Sequence, residues 1–580
     1  MANLNKIDVP IAVEHKTKLD LSCDHITTMD FMTTQPVNYR HMIKTEHISI
    51  NAECKVRPAP IEVPVYGMLR QNLRYFYVPY RLVFPNWDSF YNDVIASNIS
   101  NSSLVSSPPV IPNDELVDLF MPTSYPLSAQ TTSASYDFTI GGNYYRFTSL
   151  GRFVYKILRS LGYEVLWTRD SQRVEYNALA FLAYVKVYID WYANSQYLNS
   201  VDVLLFERLI KYNDPTNRLI LSSGDVFALV TLIRNVVYDT EDYYVNAWDN
   251  PVSPNSGQYT AFGFTDPTAT GGAYVFTNSN GSPEMAINTA YPLSVGTTYI
   301  HEALKRLTDF QKRHALAGAR SIDRVLAQYG VITDSLKQSR SIYIGNHYLN
   351  VDFGSVYATA DSSTAGGGSS SSTGDYAGAG YGQGSGLVDF TADEEGILLA
   401  VASMIPSGRL VQGYDRNNLH IQKTDFFVPE FDALGVQALE KGEVYVSHSD
   451  QFASADSDYQ GVFGFTGRYA EYKRPKSFLT GDISLPTAIL GGNAWHLFRL
   501  FHDGNFVDIN GVTHGLQFTR GADAGQYRRI FQYTKDDVEP FYCFFRFNVA
   551  SYAPCRPLFE SYEFESESKR VPTENGNKVN

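Results

Sequence analysis

Residues Tyr66–Phe90 read YGMLRQNLRYFYVPYRLVFPNWDSF, and the fold turns on how that stretch divides. Its first half alternates: Leu69, Leu73, Tyr75 and Tyr77 fall on one face of an extended chain and Arg70, Asn72 and Arg74 on the other. That period of two is the mark of a strand. Pro79 has no N–H to give to a ladder and stops it. Beyond it, Tyr80, Phe84, Trp87 and Phe90 stand among prolines. Such a mixture suits an extended segment laid over an apolar surface better than a catalytic loop. A core strand with its exit loop accounts for the same residues and, taken alone, is the simpler reading.

Working outward, residues 19–65 hold two or three strands, with Ile48 and Ile50 alternating with polar neighbours. Residues 97–150 are rich in Ser, Asn and Pro and predict surface loop. From Asn177, NALAFLAYVKVYIDWYANSQYL is apolar nearly all round and predicts a helix buried on most sides. Residues 300–331 predict a second helical region, with Glu302/Arg306 and Asp309/Arg313 as i,i+4 pairs. Two Gly/Ser-rich stretches, 252–296 and 361–386, read as variable surface loops. Glu394–Pro406 returns to a buried strand, Arg468–Gly481 reads as a strand and turn, and 560–580 as a polar tail. Many short strands with long crossovers predict a mainly β protein, an eight-stranded antiparallel jelly roll with large helical and loop insertions. One discontinuous domain of 580 residues results, its jelly-roll segments at about 19–90, 335–360, 391–430 and 462–556 and its helical insertions at about 176–249 and 300–331.

Aromatics make up 14% of the chain and charged residues 19%, so it is rich in contact surface and poor in solvating charge. A net charge of −14 argues against a surface that neutralises nucleic acid everywhere, and leaves room for one local basic patch. The four cysteines are too sparse for a disulfide framework and include no CxxC pair. They predict free structural thiols. The opening MANLNKIDVP has no apolar signal core, and no apolar run is long enough to span a bilayer, which predicts a soluble chain without membrane insertion.

A search for chemistry gives little. His301-Glu302 lacks the second histidine of a zinc-protease helix, no Gly-x-Ser-x-Gly elbow occurs, and the glycine runs lack a following Lys-Ser/Thr. The Glu394/Glu395 and Asp536/Asp537 doublets point to opposite faces of a strand and do not converge. His496 beside Trp495 reads as a satisfied core histidine. No catalytic residue, metal site or cofactor is predicted. The nucleic-acid candidate is the cluster Arg468, Lys473, Arg474 and Lys476, which interleaves with Tyr469 and Tyr472 to offer cations for phosphates and rings for bases. A strand-end turn with inter-subunit pairing is the simpler reading of the same residues.

In order and spacing, the Tyr66–Phe90 segment resembles a signature of the major capsid proteins of microviruses, small icosahedral single-stranded DNA phages. Further segments resemble the same family in the same order: the helix bearing Ala183, Tyr184, Val187, Tyr188, Trp191 and Tyr192, DYYVNAWDNP at 242–251, the Leu304–Val331 region, IYIG at 342–345, EEGILLAVASMIP at 394–406, RYAEYKRPKSFLTG at 468–481 and Trp495-His496-Leu497. The resemblance implies a viral jelly roll in sixty equivalent copies, a T=1 shell around circular single-stranded DNA. It also implies virion partners, namely a spike or pilot protein and a small basic DNA-condensing protein, with assembly in the bacterial cytoplasm. Outward loops would meet a host surface receptor. On this reading Arg70, Arg74, Phe84, Trp87 and Phe90 are subunit-interface residues, partly exposed in one chain and covered in the shell. A carbohydrate-binding or adhesin-like β-sandwich uses aromatics and loops in the same way and is the alternative. A glycosidase is the third reading, with no constellation to support it.

Overall fold

The computed structural model describes residues 17–61, 65–87, 108–120, 127–130, 138–140, 143–147, 149–166, 174–192, 219–233, 339–357, 376–406, 411–421, 425–429, 436–446, 462–473, 476–484, 495–498, 527–531 and 539–555, with a few isolated positions and residue pairs besides. The sequence segments at 242–251, 252–296 and 560–580, and nearly all of 300–331, lie outside them.

The main body is one antiparallel sheet. Its strands are β1 (Thr17–Asp20), β2 (Cys23–Met29), β3 (Thr34–Met42), β4 (His47–Pro58), β5 (Leu69–Pro79), β11 (Ile342–Tyr357), β12 (Tyr376–Thr391), β13 (Gly396–Pro406) and β18 (Phe541–Ala553). They lie in the order β1-β18-β4-β12-β11-β5-β13-β3, with β2 also paired to β18, while β16 (Phe506–Val507) and β17 (Thr513–His514) pair with each other apart from this sheet. The described sheet thus has nine strands where eight were expected. It curls around an inner core to which both ends contribute: Ile48, Ile50 and Val56 from β4, Phe541, Phe545 and Phe547 from β18, and Leu398, Ala400 and Met404 from β13. Phe31, between β2 and β3, closes the curl by meeting Phe541 edge-on at 4.8 Å.

β5 is the wall between two cores. Leu69, Leu73, Tyr75 and Tyr77 face the inner core, as their alternation predicts. On the other face, Phe76 and Val78 enter a second core under a helical layer. The strand ends at Pro79, and the chain turns straight into a short helix, α1 (Tyr80–Val83), rather than running on extended. β13 is sandwiched in the same way, and every one of its side chains is buried.

The helical layer comes from the stretch between β5 and β11. Its main pieces are β6 (Val110–Pro112), α2 (Asn113–Phe120), α3 (Ser149–Ser160), β10 (Glu175–Asn177), α4 (Leu179–Val187) and α5 (Ser223–Ile233). α4 is buried all round and runs into a π-helical turn at Tyr188–Tyr192. Tyr184 reaches from it to β3, donating its hydroxyl to the Thr34 carbonyl at 3.0 Å. Asp190 is paired with Lys186 at 3.0 Å and accepts from the backbone N–H and hydroxyl of Ser341, both at 2.9 Å, which ties this turn to the start of β11.

Two of the predicted surface loops are structured instead. The loop predicted over 97–150 holds β6 and α2, whose Ile111, Leu116, Val117 and Phe120 are core residues, and a three-stranded sheet of β7 (Leu127–Gln130), β8 (Phe138–Ile140) and β9 (Asn143–Phe147). Its polar, proline-bearing flank hid a short amphipathic helix. The loop predicted over 361–386 becomes strand β12 from Tyr376 onward. Its alternate glycines are not linker. A Cβ at Gly380 would lie 2.4 Å from Pro58 Cγ and one at Gly386 2.7 Å from His347 Cβ, so the neighbouring side chains occupy that space.

The four cysteines are free thiols. Cys54 and Cys543 lie in the inner core, where burial pushes the Cys54 thiol up to about 12.

Candidate interface and nucleic-acid surfaces

The residues assigned to subunit contact divide. Phe84 is 1% exposed and sits wholly in the helical-layer core of its own chain, which removes it from the interface candidates. The reason is local: α1 turns the chain back, and Phe84 N–H bonds to the Tyr80 carbonyl at 2.7 Å, aiming the ring inward. Trp87 and Phe90 pack against the same core and are only partly buried. Trp87 lies 4.4 Å from Tyr80 and 5.9 Å from Phe90, centroid to centroid. Arg70 and Arg74 are half-buried on the outer face of β5 and lie over rings of their own chain, Tyr348 at 5.2 Å and Tyr192 at 5.5 Å.

The basic cluster divides as well. It lies in a small unit beside the main sheet, where β14 (Val436–Glu440) pairs with β15 (Val462–Gly467) and is followed by a one-turn helix, α6 (Lys441–Val444). Residues 470–473 form another one-turn helix, α7 (Ala470–Lys473), not the strand expected. The described residues of 462–476 therefore belong to this unit and not to the jelly-roll segment assigned at 462–556. Lys476 is not available to phosphate. Its Nζ donates to the carbonyl of Tyr414 at 2.7 Å and to that of Gly413, and burial lowers its pKa. Lys473 forms an exposed ion pair with Asp432. Arg468 lies over the Tyr469 ring at 5.0 Å. Arg474 lies outside the described residues. The three that are described, Arg468, Lys473 and Lys476, do not form one exposed cationic stripe.

What the unit does present is a set of bare rings. Tyr469 adopts a φ of 58°, a left-handed conformation costly for a tyrosine. It is held there by the bond from its N–H to Gln437 Oε1 at 2.9 Å and by burial of its ring. That bend sets Tyr472 against Phe427 at 5.8 Å and stacks it on His420 at 5.6 Å. His420 also meets Phe426 at 5.4 Å and lies 3.5 Å from Glu471. Phe426, Phe427 and Tyr472 are nonetheless all exposed, Ile421 beside them is 87% exposed and Phe478 64%. Sequence reasoning passed over Ile421, Phe426 and Phe427 because they lie outside every recognised motif. Single exposed apolar side chains are ordinary, but a group of them in contact marks a surface that something covers.

His496 is a core histidine, 2% exposed, with Trp495 stacked on Tyr66. Only one side of its ring is satisfied. Nδ1 has Arg529 and the Phe498 N–H at 3.3 Å each, while Nε2 is buried with no partner among the described residues. Burial, with Arg529 adding to it, lowers its pKa from 6.5 to about 4. The unfolded chain therefore takes up this proton near pH 6.5 and the folded one only near 4, so stability falls as pH drops across that window. The expected loss is about 3 kcal/mol at most. Denaturant midpoints between pH 7 and 4 check it, with His496→Gln expected to flatten the dependence.

Of the Glu394/Glu395 doublet, Glu394 is bound to Arg81 at 2.7 Å, and the two lie in the bend before β13 and not on a strand as expected. Among the described residues, no group of three or more His, Cys, Asp or Glu is placed to hold a metal ion, and no helix is long and apolar enough to cross a membrane.

A scan against protein-family models matches residues 8–117 and 241–557 to the capsid protein (F protein) family of phages. The chain belongs to that family. The matched residues hold all nine strands of the main sheet and the small unit, and they omit 118–240, most of the helical layer. The Ala183–Tyr192 helix, one of the segments on which the sequence resemblance rests, is in the omitted part. Curated relatives carry the likeness across most of the chain. The capsid protein VP1 of Chlamydia phage 1 is 23% identical over 564 residues, 85% of this chain and 88% of that one. The capsid protein VP1 of Bdellovibrio phage phiMH2K is 21% identical over 532 residues, 85% of this chain and 87% of that one. The resemblance to microvirus capsid proteins thus holds. The role of this capsid chain is structural, its place is the virion, and it associates with copies of itself.

Proposed function

We propose that this capsid chain is a jelly-roll subunit of a T=1 shell of sixty copies enclosing circular single-stranded DNA. The observation that carries the reading is the ring group of the small unit. Ile421, Phe426, Phe427 and Tyr472 lie bare on a member of a family that builds a shell, and a second copy is what covers them. Closure works by symmetry, since each chain offers different surfaces to its neighbours about the fivefold, threefold and twofold axes. Burial of such rings gives about 25 cal/mol per Å² before entropy costs, so several contacts per copy are needed. The curled sheet, closed around Phe31 and Phe541, supports the jelly-roll assignment, with the helical layer as an insertion upon it. A small basic protein would offset the acidic character of the chain during packaging, a spike or pilot protein would complete the virion, and assembly would take place in the host cytoplasm. The 252–296 segment would face the host receptor.

Sedimentation of the purified chain over a range of concentrations tests this. Closed particles, or pentamers on the way to them, are the expected result. A monomer at every concentration that binds glycans would favour the adhesin-like alternative instead.

A further inference from the structure

On the half of the main sheet away from the helical layer, the outer face carries exposed side chains among the described residues. On β18, buried residues alternate with Tyr542, Phe544, Arg546 and Tyr552, which turn away from the inner core. Register sets Tyr542 opposite Arg57 of β4 and Phe544 opposite Lys55, and Lys55 in turn opposite Gln383 of β12. The closeness of Gly380 to Pro58 places the next residue, Tyr381, beside Arg57. One row across the sheet therefore runs ring, cation, ring: Tyr542, Arg57, Tyr381. Tyr542 is 50% exposed and Tyr381 47%.

Charge is sorted on the same face. In a chain of net charge −14, Lys55 and Arg57 make no ion pair or hydrogen bond among the described residues. The carboxylates nearest in register are engaged elsewhere or stand at the margin. Asp24 is bound to Arg546 at 2.9 Å, Glu53 lies opposite that same arginine, and Asp352 is at the far end of the row, opposite Tyr381. Unpaired lysine among rings is unlike the centre of a protein–protein contact, where charge and lysine are depleted. Rings standing on an open sheet between cations are instead the arrangement that takes unstacked bases and their phosphates.

We propose that this face is a platform for single-stranded nucleic acid, with Arg57 and Lys55 on phosphates and Tyr542 and Tyr381 under bases. The proposal rests on the reading that the shell encloses single-stranded DNA. It moves the candidate site from the Arg468–Lys476 cluster to the open sheet.

The test uses the full chain with a labelled oligothymidylate, and a duplex of the same length, across a salt series. Lys55→Ser/Arg57→Ser is expected to weaken single-strand binding by about tenfold or more and to flatten the slope of log affinity against log salt by about 1.4. Tyr542→Ser, which removes no charge, is expected to weaken it by about tenfold with the slope unchanged. Lys473→Ser, in the small unit, is expected to change neither. Particle formation without nucleic acid, read by sedimentation, is expected to survive all of these changes. Wild-type chain that ignores the oligothymidylate, variants that bind as wild type does, or equal preference for duplex would overturn the platform. So would variants that lose particle formation without nucleic acid, since the face would then be a contact between copies or with another virion protein. Wild-type chain that binds single strands yet never forms particles would uphold the platform and sink the shell reading.

Discussion

Phe84→Ala is expected to destabilise the single subunit by about 3–5 kcal/mol, the cost of emptying a large aromatic site in a packed core. Phe84 follows α1 and belongs to the core that Phe76 and Val78 of β5 share with residues of α2 and α4, and its ring meets that of Phe90 at 6.0 Å. The cavity cannot close easily, because the sheet on one side and α4 on the other are fixed by their own packing. Trp87 and Trp191 lie against this layer and report on it, so denaturant unfolding followed by tryptophan fluorescence reads the loss. Any shortfall in particles should track that instability and recover at low temperature or in stabilising solutes. A variant as stable as wild type that still fails to assemble would return Phe84 to the subunit interface.

Ile421→Ser/Phe426→Ser is expected to do the reverse. Both side chains are already exposed, so subunit stability should change by less than about 1 kcal/mol. If a sister copy covers them, the lost contact is worth about 2 kcal/mol, or about a 30-fold rise in the concentration at which particles form. The main chain of this turn should persist, because the Ile421 N–H bonds to Asp425 at 3.1 Å independently of either side chain. Sedimentation gives the assembly threshold and circular dichroism the fold. Unchanged assembly would mean that the rings of the small unit face solvent in the particle.

These two sites show where the sequence was legible. The alternation of Leu69, Leu73, Tyr75 and Tyr77 predicted the inner face of β5, because period two is a local property and one core lies on that side. The apolar run of α4 predicted burial all round for the same reason. What local pattern does not reveal is what covers the second face. Phe84 looked like an exposed ring only because its cover, from Ile111 to Ile233, is brought in by a distant insertion. β12 looked like a linker because its glycines answer to Pro58 and His347, far away in the chain. Lys476 looked like a phosphate ligand, yet its ammonium holds the carbonyls of Gly413 and Tyr414, a tertiary use that carries no motif. The platform of Lys55, Arg57, Tyr381 and Tyr542 was invisible for a related reason: only the register joins its strands.

Imaging the purified chain by electron microscopy and averaging its particles tests the central claim most directly. The account predicts closed shells of icosahedral symmetry with sixty copies, in which Phe426, Phe427 and Tyr472 lie between neighbouring copies. Chains that stay single at every concentration and salt, or shells in which those rings look out on solvent, would contradict it.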